Sequence, residues 1–269
     1  MKKFIIIFLV LILTVTLTAC SNEKPASTLD KDTLVVGMEL AYPPFEMTDK
    51  DGNPSGISVD LAKALGEYLG KNIRIENMAY QGLIPSLKTG KIDLIISSMT
   101  ITDERLESID FSNPYCRAYL SVLANKDSNI ESIDDLNKKG KKVAVKKGTT
   151  GHIYASENLK NAEVMVFDKQ GICVLEVTQG KADAFIYDQM TIYKNWKMNE
   201  NKTTAILKPF QEEFEHWGIG MRKENDKLRK SVNEFLKEYK NQGGFDKLAN
   251  KYLKEQKETF EKLNIPFFF

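Results

Sequence analysis

The sequence predicts an α/β fold made of two similar lobes. Short apolar strands alternate with helix-length segments along most of the chain, which is the pattern of mainly parallel sheets flanked by helices. The pattern occurs twice, because residues 91–97 and 181–187 each follow a glycine and each run from Lys-x-Asp into an apolar strand. We interpret them as equivalent strands of two lobes, with a ligand site expected in the cleft between the lobes.

Composition agrees with a folded globular protein. Of the 269 residues, 42% are hydrophobic and 28% are charged, and this length allows one large domain or two ordinary ones. Lys and Arg number 38 against 37 Asp and Glu, so the charge gives no reason to expect a nucleic acid as partner.

Residues 1–19 have the pattern of a signal peptide. A positive start is followed by an apolar run of about fourteen residues, which is shorter than the run of about 20 that a spanning helix needs. The run ends in Leu-Thr-Ala-Cys, which resembles a bacterial lipobox whose cysteine is diacylated. We therefore expect lipid on Cys20, a polar tether over residues 20–32, and a chain held on the extracytoplasmic side of a membrane; the alternative is an ordinary secretory signal with Cys20 incidental. Cys116 and Cys173 are expected to be free and partly buried.

The first part of the chain reads as strand, helix, strand, helix. The predicted elements are a strand at 34–37, a turn at Pro43-Pro44, a turn at 49–52, a helix at 59–69 capped by Ser58 and ended by Gly70, a strand at 73–75 and a helix at 83–90. Tyr42 and Tyr80 lie in the loops beyond the first and second strands.

The segment Ile92 to Arg105 predicts a binding edge. Its strand, residues 94–96, ends in a run of hydroxyl side chains that leads to Arg105. Ligands of open α/β sheets lie beyond the carboxyl ends of the strands, and the planar fork of arginine matches a carboxylate. The alternative is a polar loop in which Arg105 is a surface charge.

The second half repeats the plan. The predicted elements are a strand at 143–145, a glycine-flanked loop at 146–151 that opens a helix near His152, a strand at 164–167, a helix at 172–178 and a strand at 182–188. Amides and hydroxyls at a helix N-terminus form an anion site, although Thr149 or Thr150 as a simple helix cap explains the same loop. Asp188 ends its strand in a carboxylate, or else caps a helix that begins at Gln189.

The last part is predicted to be a strand at 204–207, a strand candidate at 217–222, a helix at 228–239, a turn at 243–245 and a helix at 248–263. The apolar stretch 265–269 is expected to pack on the body of the protein.

Several stretches together resemble one family, the extracellular solute-binding proteins, family 3, of ABC importers for polar amino acids. The matching stretches are Tyr42 to Phe45, Gly56 to Leu61, Gly82 to Leu87, Ile92 to Arg105, Phe111 to Tyr115, Val143 to Thr150, Gly180 to Asp188 and Gly243 to Phe245. The pattern departs from the family at Ser58, where an acidic residue is usual.

The resemblance implies the type II periplasmic-binding-protein fold, in which two lobes close on a ligand around a two-stranded hinge. Lobe 1 would comprise residues 33–118 and 215–269 and lobe 2 residues 119–214, with crossings near 117–122 and 207–214. The chain would act as a monomer that captures a free amino acid and delivers it to a membrane permease. No cofactor, no metal and no catalytic residue is implied.

The resemblance also assigns roles to the two ends of a zwitterion. Arg105 would hold the α-carboxylate, assisted by the backbone amides of Thr100 and Thr150. Asp188 would pair with the α-ammonium, and the hydroxyl groups of Ser98 and Thr100 would add acceptors. A cation and a carboxylate held apart where water is excluded suit this ligand, because charge-assisted hydrogen bonds are strongest there.

The rings of Tyr42 and Tyr80 would enclose the ligand side chain from two sides. Thr149, in the same loop as Thr150, is a further candidate ligand residue. Glu39 and Lys146 set the chemistry of this end: together they suit a neutral amide such as glutamine, whereas an unopposed Glu39 suits a basic amino acid. The alternative is that Glu39 and Lys146 pair with each other or face solvent.

Three other functions compete with this interpretation of the sequence: an enzyme, a metal site and a sensor module. A periplasmic enzyme similar to cyclohexadienyl dehydratase is one, because a fold does not determine function. A nucleophile with a base is poorly supported, since His152 and His216 are the only histidines. His216 beside Glu213 and Glu215 suggests a metal cluster or, more simply, a solvated or hinge segment. A receptor's sensor module is disfavoured because no second membrane segment or signalling domain is seen.

Overall fold

The computed structural model describes residues 27–262 and 267–269. The predicted signal peptide, Cys20 and the first part of the tether fall outside the described residues, as do residues 263–266. Among the residues described, no helix has the length and hydrophobicity that crossing a membrane requires. Cys116 and Cys173 are both buried and, within this part of the chain, form no disulfide.

Fourteen strands and nine α-helices make up the described part of the chain. The strands are β1 Thr33–Met38, β2 Met47–Thr48, β3 Pro54–Ser55, β4 Asn72–Asn77, β5 Leu94–Ile95, β6 Asp110–Phe111, β7 Cys116–Ala118, β8 Leu120–Asn125, β9 Lys142–Lys146, β10 Glu163–Phe167, β11 Ala184–Asp188, β12 Thr203–Ile206, β13 Glu215–Trp217 and β14 Gly220–Met221. The α-helices are α1 Ile57–Leu69, α2 Leu83–Lys88, α3 Asp103–Ser108, α4 Thr150–Asn158, α5 Gln170–Thr178, α6 Gln189–Met198, α7 Asp226–Asn241, α8 Gly244–Tyr252 and α9 Lys254–Lys262. Short 3₁₀ helices lie at Thr28–Asp30, Tyr80–Gly82, Lys126–Ser128 and Ile133–Leu136.

The strands form two five-stranded sheets of the same design. Their orders are β4-β1-β5-β14-β6 and β10-β9-β11-β8-β12. In each sheet the first three strands are parallel and the fourth is antiparallel to its two neighbours. The predicted fold class is confirmed, and the two segments that share the Lys-x-Asp start, β5 and β11, both occupy the central position of their sheet.

The repeated aspartate has the same structural role in both lobes. One carboxylate oxygen of Asp93 accepts a hydrogen bond from the amide of Val35 on β1 at 3.1 Å. Likewise, Asp183 accepts from the amide of Lys142 on β9 at 2.7 Å. Each aspartate thus ties the start of the central strand to the neighbouring parallel strand, which explains why the motif recurs.

A two-stranded hinge joins the lobes. β7 follows β6 of the first sheet and leads into β8 of the second sheet. β13 follows β12 of the second sheet and leads back into β14 of the first. The two pair antiparallel outside both large sheets, with Glu215 opposite Ala118 and Trp217 opposite Cys116. The chain therefore crosses between the lobes twice at one place, which leaves the far edges of the cleft able to open and close.

Residues 267–269 pack on the hinge and the lobe 1 core, as predicted for the apolar end of the sequence. The backbone amide of Arg117 on β7 donates to the carbonyl of Phe268 at 2.9 Å. The Phe268 ring is 1% exposed and contacts the rings of Phe45 and Trp217, with centroid distances of 5.4 and 6.2 Å. One aromatic side chain thus touches both the lobe 1 core and a hinge strand.

The prediction that Ser58 caps the first helix is wrong. Helix α1 begins at Ile57, and Gly56 before it has a φ of 118°. A Cβ at Gly56 would lie 2.4 Å from the carbonyl oxygen of Phe45, so the entry to the helix requires glycine there. Ser58 instead lies within the helix, where its hydroxyl donates to Glu46 at 2.5 Å.

Two other element predictions are corrected. The segment 217–222 is not one strand, because Trp217 ends hinge strand β13 whereas Gly220 begins β14 of the first sheet. Between them, the backbone at Gly218 approaches the side chain of Ile101 so closely that a Cβ would lie 2.9 Å away. The helix predicted over 248–263 is two helices, α8 and α9, that are separated at the buried Leu253.

We expect Asp93→Asn to lower the free energy of unfolding at pH 7 by about 2–4 kcal/mol. Asp93 is almost fully buried and pairs with Lys31 at 2.6 Å and Arg222 at 3.0 Å, so the variant leaves two cations without their counterion. Urea denaturation measures the change, with the exposed Asp51→Asn as a matched control that should stay within about 0.5 kcal/mol.

The difference in stability between wild type and Asp93→Asn is also expected to depend on pH. Burial raises the pKa of Asp93, but hydrogen bonds from Lys31, the Val35 amide and Arg222 outweigh it and leave the pKa below its ordinary value. A lowered pKa contributes stability above the pKa of the unfolded carboxyl, about 3.9, and this contribution is lost as the pH falls through the folded pKa. The difference between Asp93→Asn and wild type should therefore shrink below about pH 4; an equal difference at pH 7 and pH 3 would contradict the assignment.

Candidate functional site

A small cavity lies between the two lobes at the carboxyl ends of β1, β5, β9 and β11. Its volume is about 40 Å³, and it is lined by Glu39, Tyr42, Glu46, Tyr80, Ser97, Ser98, Thr100, Leu120, Lys146, Thr149, Thr150, Tyr187, Asp188, Glu215 and Trp217. Nine of the ten residues that the sequence singles out for a ligand are in this lining. The tenth, Arg105, is hydrogen-bonded to the backbone of Thr100 in the lining.

Arg105 is buried between the lobes and is not a surface charge. It lies on α3, where Thr102 caps the helix by accepting from the Arg105 amide at 3.2 Å. Its guanidinium donates to the carbonyl of Thr100 at 2.5 Å and, across the cleft, to the carbonyl of Gly148 at 3.0 Å. The guanidinium also lies 5.8 Å from the centre of the Tyr80 ring. Since a guanidinium has five N–H donors, these two contacts leave donors available.

Asp188 is both a helix cap and a cavity carboxylate. It ends β11, and its Oδ1 accepts from the amides of Met190 and Thr191 at 3.0 Å each, which caps α6. Its Oδ2 is buried beside the Tyr42 hydroxyl, and neither atom makes a hydrogen bond of regular geometry among the described residues. Burial raises the pKa of this carboxyl above its ordinary value. The capping bonds fix the side chain so that one oxygen stays available to a donor in the cavity.

The loop before α4 contains two threonines, Thr149 and Thr150, that have different roles. Thr149 is the helix cap, accepting from the amide of His152 at 3.4 Å and donating to the carbonyl of Lys146 at 2.8 Å. Thr150 is the first residue of the helix, so its amide has no partner within the helix. The helix-cap interpretation therefore applies to Thr149, and the anion site stays a prediction for Thr150.

The amide of Thr100 is left without a backbone partner in the described part of the chain. Thr100 and Trp217 form an isolated antiparallel bridge. The amides of their neighbours, Ile101 and Gly218, make the bridge's hydrogen bonds at 2.8 and 3.1 Å. Thr100 thus offers the cavity a free N–H from lobe 1, as Thr150 does from lobe 2.

Glu39 and Lys146 form an ion pair across the cleft. Glu39 follows β1 in lobe 1, whereas Lys146 ends β9 in lobe 2, and the Lys146 side chain is 2% exposed. The Lys146 ammonium also lies 5.2 Å from the centre of the Tyr80 ring. The sequence left open whether the two residues pair or face the cavity, and the structure has both at once.

The rings of Tyr42 and Tyr80 belong to different surroundings. Tyr42 stacks on Phe45 with centroids 5.2 Å apart, and its edge contacts are to Tyr187 and Trp217 at 6.1 Å each. Tyr80 has the two cations described above as its neighbours. The aromatic wall is therefore larger than the two tyrosines that the sequence identified, since it includes Tyr187 and Trp217.

Glu46 is a cavity residue that the sequence did not reveal. It is 1% exposed; its Oε1 accepts from Ser58 at 2.5 Å and from Ser98 at 2.8 Å, and its Oε2 has no partner among the residues described. Burial raises its pKa to about 8. The available signal was the departure at Ser58, because a serine there donates to Glu46 where an acid would repel it.

Glu215 is the second cavity carboxylate that the sequence missed. Its Oε2 accepts from the hydroxyls of Thr100 and Thr150 at 3.0 Å each, and its Oε1 accepts from Gln211 at 3.4 Å. Burial raises its pKa above the ordinary value. The sequence placed this residue in a metal cluster or in a solvated or hinge segment, and the structure has it on hinge strand β13. In the described ranges no group of three metal-ligating side chains is found.

Comparison with known proteins identifies one family. The sequence model of the bacterial extracellular solute-binding proteins, family 3, matches residues 34–255. The arginine-binding extracellular protein ArtP of Bacillus subtilis is 32% identical over 259 residues, which cover 96% of this chain and 100% of ArtP. The ABC transporter glutamine-binding protein GlnH of the same species is 32% identical over 244 residues, or 87% of this chain and 88% of GlnH.

A solved structure shares the fold. The ancestral amino acid-binding protein AncCDT-1, described as a precursor of cyclohexadienyl dehydratase, superposes with a TM-score of 0.76 at 38% identity, over 84% of this chain and 99% of that one.

We expect the stability of Glu46→Gln relative to wild type to increase with pH. A carboxyl whose pKa is raised by folding stabilises the folded state fully below its unfolded pKa, and this contribution is lost as the pH rises through the folded value of about 8. Glu46→Gln keeps the shape of the side chain but cannot ionise, so its stability does not fall as the pH rises. Melting temperatures by circular dichroism should therefore favour the variant by a few degrees more at pH 8 than at pH 5.

The exposed Glu67→Gln is the matched control and should show no such trend. A difference between Glu46→Gln and wild type that is the same at both pH values would contradict the raised pKa.

Proposed function

The chain belongs to the bacterial extracellular solute-binding proteins of family 3, and from this premise we propose that it binds a polar amino acid between its two lobes and delivers it to the permease of an ABC importer. The observation that carries the proposal is a pair of buried opposite charges at one cavity. Arg105 comes from lobe 1 and Asp188 from lobe 2. A zwitterion is the ligand that satisfies both, because its carboxylate and ammonium groups are held a fixed distance apart.

In the proposed complex, the α-carboxylate is held by the remaining donors of Arg105 and by the amides of Thr100 and Thr150. The α-ammonium donates to the Oδ2 of Asp188, which has no partner in the described part of the chain. The oxygens of Ser98 and Thr100 serve as its further acceptors. This arrangement uses groups that are already oriented by helix caps and by the bridge at Trp217, so little order has to be gained on binding.

Binding requires the lobes to move. A cavity of about 40 Å³ has room for only a few water molecules, since each needs about 10–15 Å³, and this is far less than an amino acid occupies. The single hinge at β7 and β13 permits the opening. Because groups from both lobes contact the ligand at once, the ligand favours the closed state over the open one.

We propose a neutral polar side chain, similar to that of glutamine, as the preferred ligand. The support is the ion pair of Glu39 with Lys146, which leaves a dipole and no net charge at the side-chain end of the cavity. A basic amino acid is the second candidate, favoured by the unpaired Oε2 of Glu46. Tyr42 and Tyr80 would contact the side chain in either case.

We propose that the chain is a binding protein and not an enzyme. ArtP and GlnH are both named as binding proteins, which supports this assignment. The enzymatic alternative derives from AncCDT-1 as a dehydratase precursor and from Glu46, whose pKa of about 8 suits a general acid. Turnover of a prephenate-like acid would decide for the enzyme.

The location of the protein follows from the family, whose members are extracellular. We further propose that residues 1–19 are removed, that Cys20 carries the lipid anchor, and that the chain works as a monomer. The proposed lobe boundaries are residues 33–118 with 215–269 and residues 119–214. Mass spectrometry of the mature N-terminus would test the lipid.

Arg105→Ala should weaken amino-acid binding by at least about 30-fold. Truncating one partner of a buried charge pair costs about 2–5 kcal/mol, and the carboxylate would lose the cation that Arg105 supplies from lobe 1. Isothermal calorimetry measures the affinity, and circular dichroism verifies the fold. The matched control is the exposed Arg74→Ala, which should bind like wild type, whereas near-native affinity in Arg105→Ala would refute the clamp.

A thermal-shift screen of the twenty amino acids should identify the ligand, because a ligand at 100 times its dissociation constant adds about 2.7 kcal/mol of stability. We expect glutamine to give the largest shift with wild type. In Lys146→Met, which keeps the length of the side chain but leaves Glu39 unopposed, we expect the largest shift to come from lysine or arginine.

An acidic amino acid as best ligand of wild type would contradict the proposed side-chain site. The same ranking of ligands in wild type and Lys146→Met would show that the pair of Glu39 and Lys146 does not set specificity.

A further inference from the structure

Glu215 joins the two lobes through a single oxygen atom. It lies on hinge strand β13, opposite Ala118 of β7. Its Oε2 accepts one hydroxyl hydrogen bond from Thr100 of lobe 1 and one from Thr150 of lobe 2, both at 3.0 Å. A carboxylate attached to the hinge therefore holds together the two edges that have to separate when the cleft opens.

The carboxylate of Glu215 also lies in the field of Arg105 without pairing with it. Burial raises the pKa of Glu215, whereas the hydrogen bonds from Thr150, Thr100 and Gln211 and the charge of Arg105 favour its ionised form. Its guanidinium nevertheless makes its hydrogen bonds to the carbonyls of Thr100 and Gly148, and no ion pair joins it to Glu215 within the described ranges. The negative charge that faces this arginine in the closed arrangement is thus supplied by the protein itself.

The groups around Glu215 are those proposed to hold the α-carboxylate of the ligand. Arg105, Thr100 and Thr150 serve both carboxylates. Two carboxylates in one partly buried site repel each other, since each opposes the ionised form of the other. Like charges brought together across an interface cost enough to change affinity by an order of magnitude or more.

We propose that Glu215 is an internal competitor of the ligand: its carboxylate closes the cleft by binding the threonine hydroxyls beside Arg105, and the α-carboxylate of the amino acid has to displace it. This inference rests on the proposed function. Gln211, whose amide reaches the Oε1 of Glu215 at 3.4 Å, offers a partner on the hinge side towards which the displaced side chain can turn. Glu215 thereby sets ligand affinity without being a ligand contact.

Two substitutions test the competition. Glu215→Gln keeps the size and an acceptor oxygen but removes the charge, and Glu215→Ala removes the whole carboxylate. Both should lower the dissociation constant for the best amino acid of the screen by roughly tenfold or more, measured by calorimetry. The exposed neighbour Glu213→Gln is the matched control and should leave the affinity unchanged.

Small-angle scattering adds a readout that a change in general stability does not move. The free Glu215→Ala protein should have a larger radius of gyration than free wild type, because the link between Thr100 and Thr150 is lost. With the amino acid at saturation the two radii should be equal.

Equal or weaker binding in both Glu215 variants, with wild type still binding, would overturn the competition and leave the proposed function intact. Absence of binding to all twenty amino acids in wild type and in every variant would instead overturn the proposed function, and this inference with it.

Discussion

The arrangement of the cleft depends on one buried cation. Arg105 is 6% exposed, and its guanidinium is held by a carbonyl from each lobe, that of Thr100 and that of Gly148. A charge taken out of water is costly unless hydrogen bonds and counter-charges surround it. This requirement explains why carbonyls, hydroxyls and carboxylates from both lobes converge on a cavity of about 40 Å³.

Much of the fold and of the site was predictable because it follows from local pattern. The Lys-x-Asp starts at Asp93 and Asp183 predicted two equivalent strands. The structure places both at the centre of their sheets, where each aspartate bonds the amide of the neighbouring strand. The polar residues after those strands predicted most of the cavity, because the carboxyl ends of parallel strands meet at one edge. The hydroxyls after β5 and the carboxylate at the end of β11 could therefore each be predicted from the sequence of its own strand.

The remainder depended on contacts between distant segments. Glu46 reaches the cavity only because Gly56 brings the chain against the carbonyl of Phe45 and lets Ser58 face the carboxylate. Glu215 reaches it only because β13 pairs with β7 at the hinge. In the sequence, Glu46 is an acid after a proline turn and Glu215 is an acid beside a histidine. Neither pattern indicates that the side chain will face the cavity.

The position of the Phe268 ring affects how ligand preference can change as such proteins evolve. It touches Trp217, a wall of the cavity, and Phe260 of helix α9 on the other side, with centroid distances of 6.2 and 6.1 Å. Close-packed interiors transmit a change in volume to their neighbours. Substitutions among the outer helices of lobe 1 therefore reach the cavity wall through a single intervening aromatic layer. Ligand preference can drift along a lineage while every residue that contacts the amino acid stays the same.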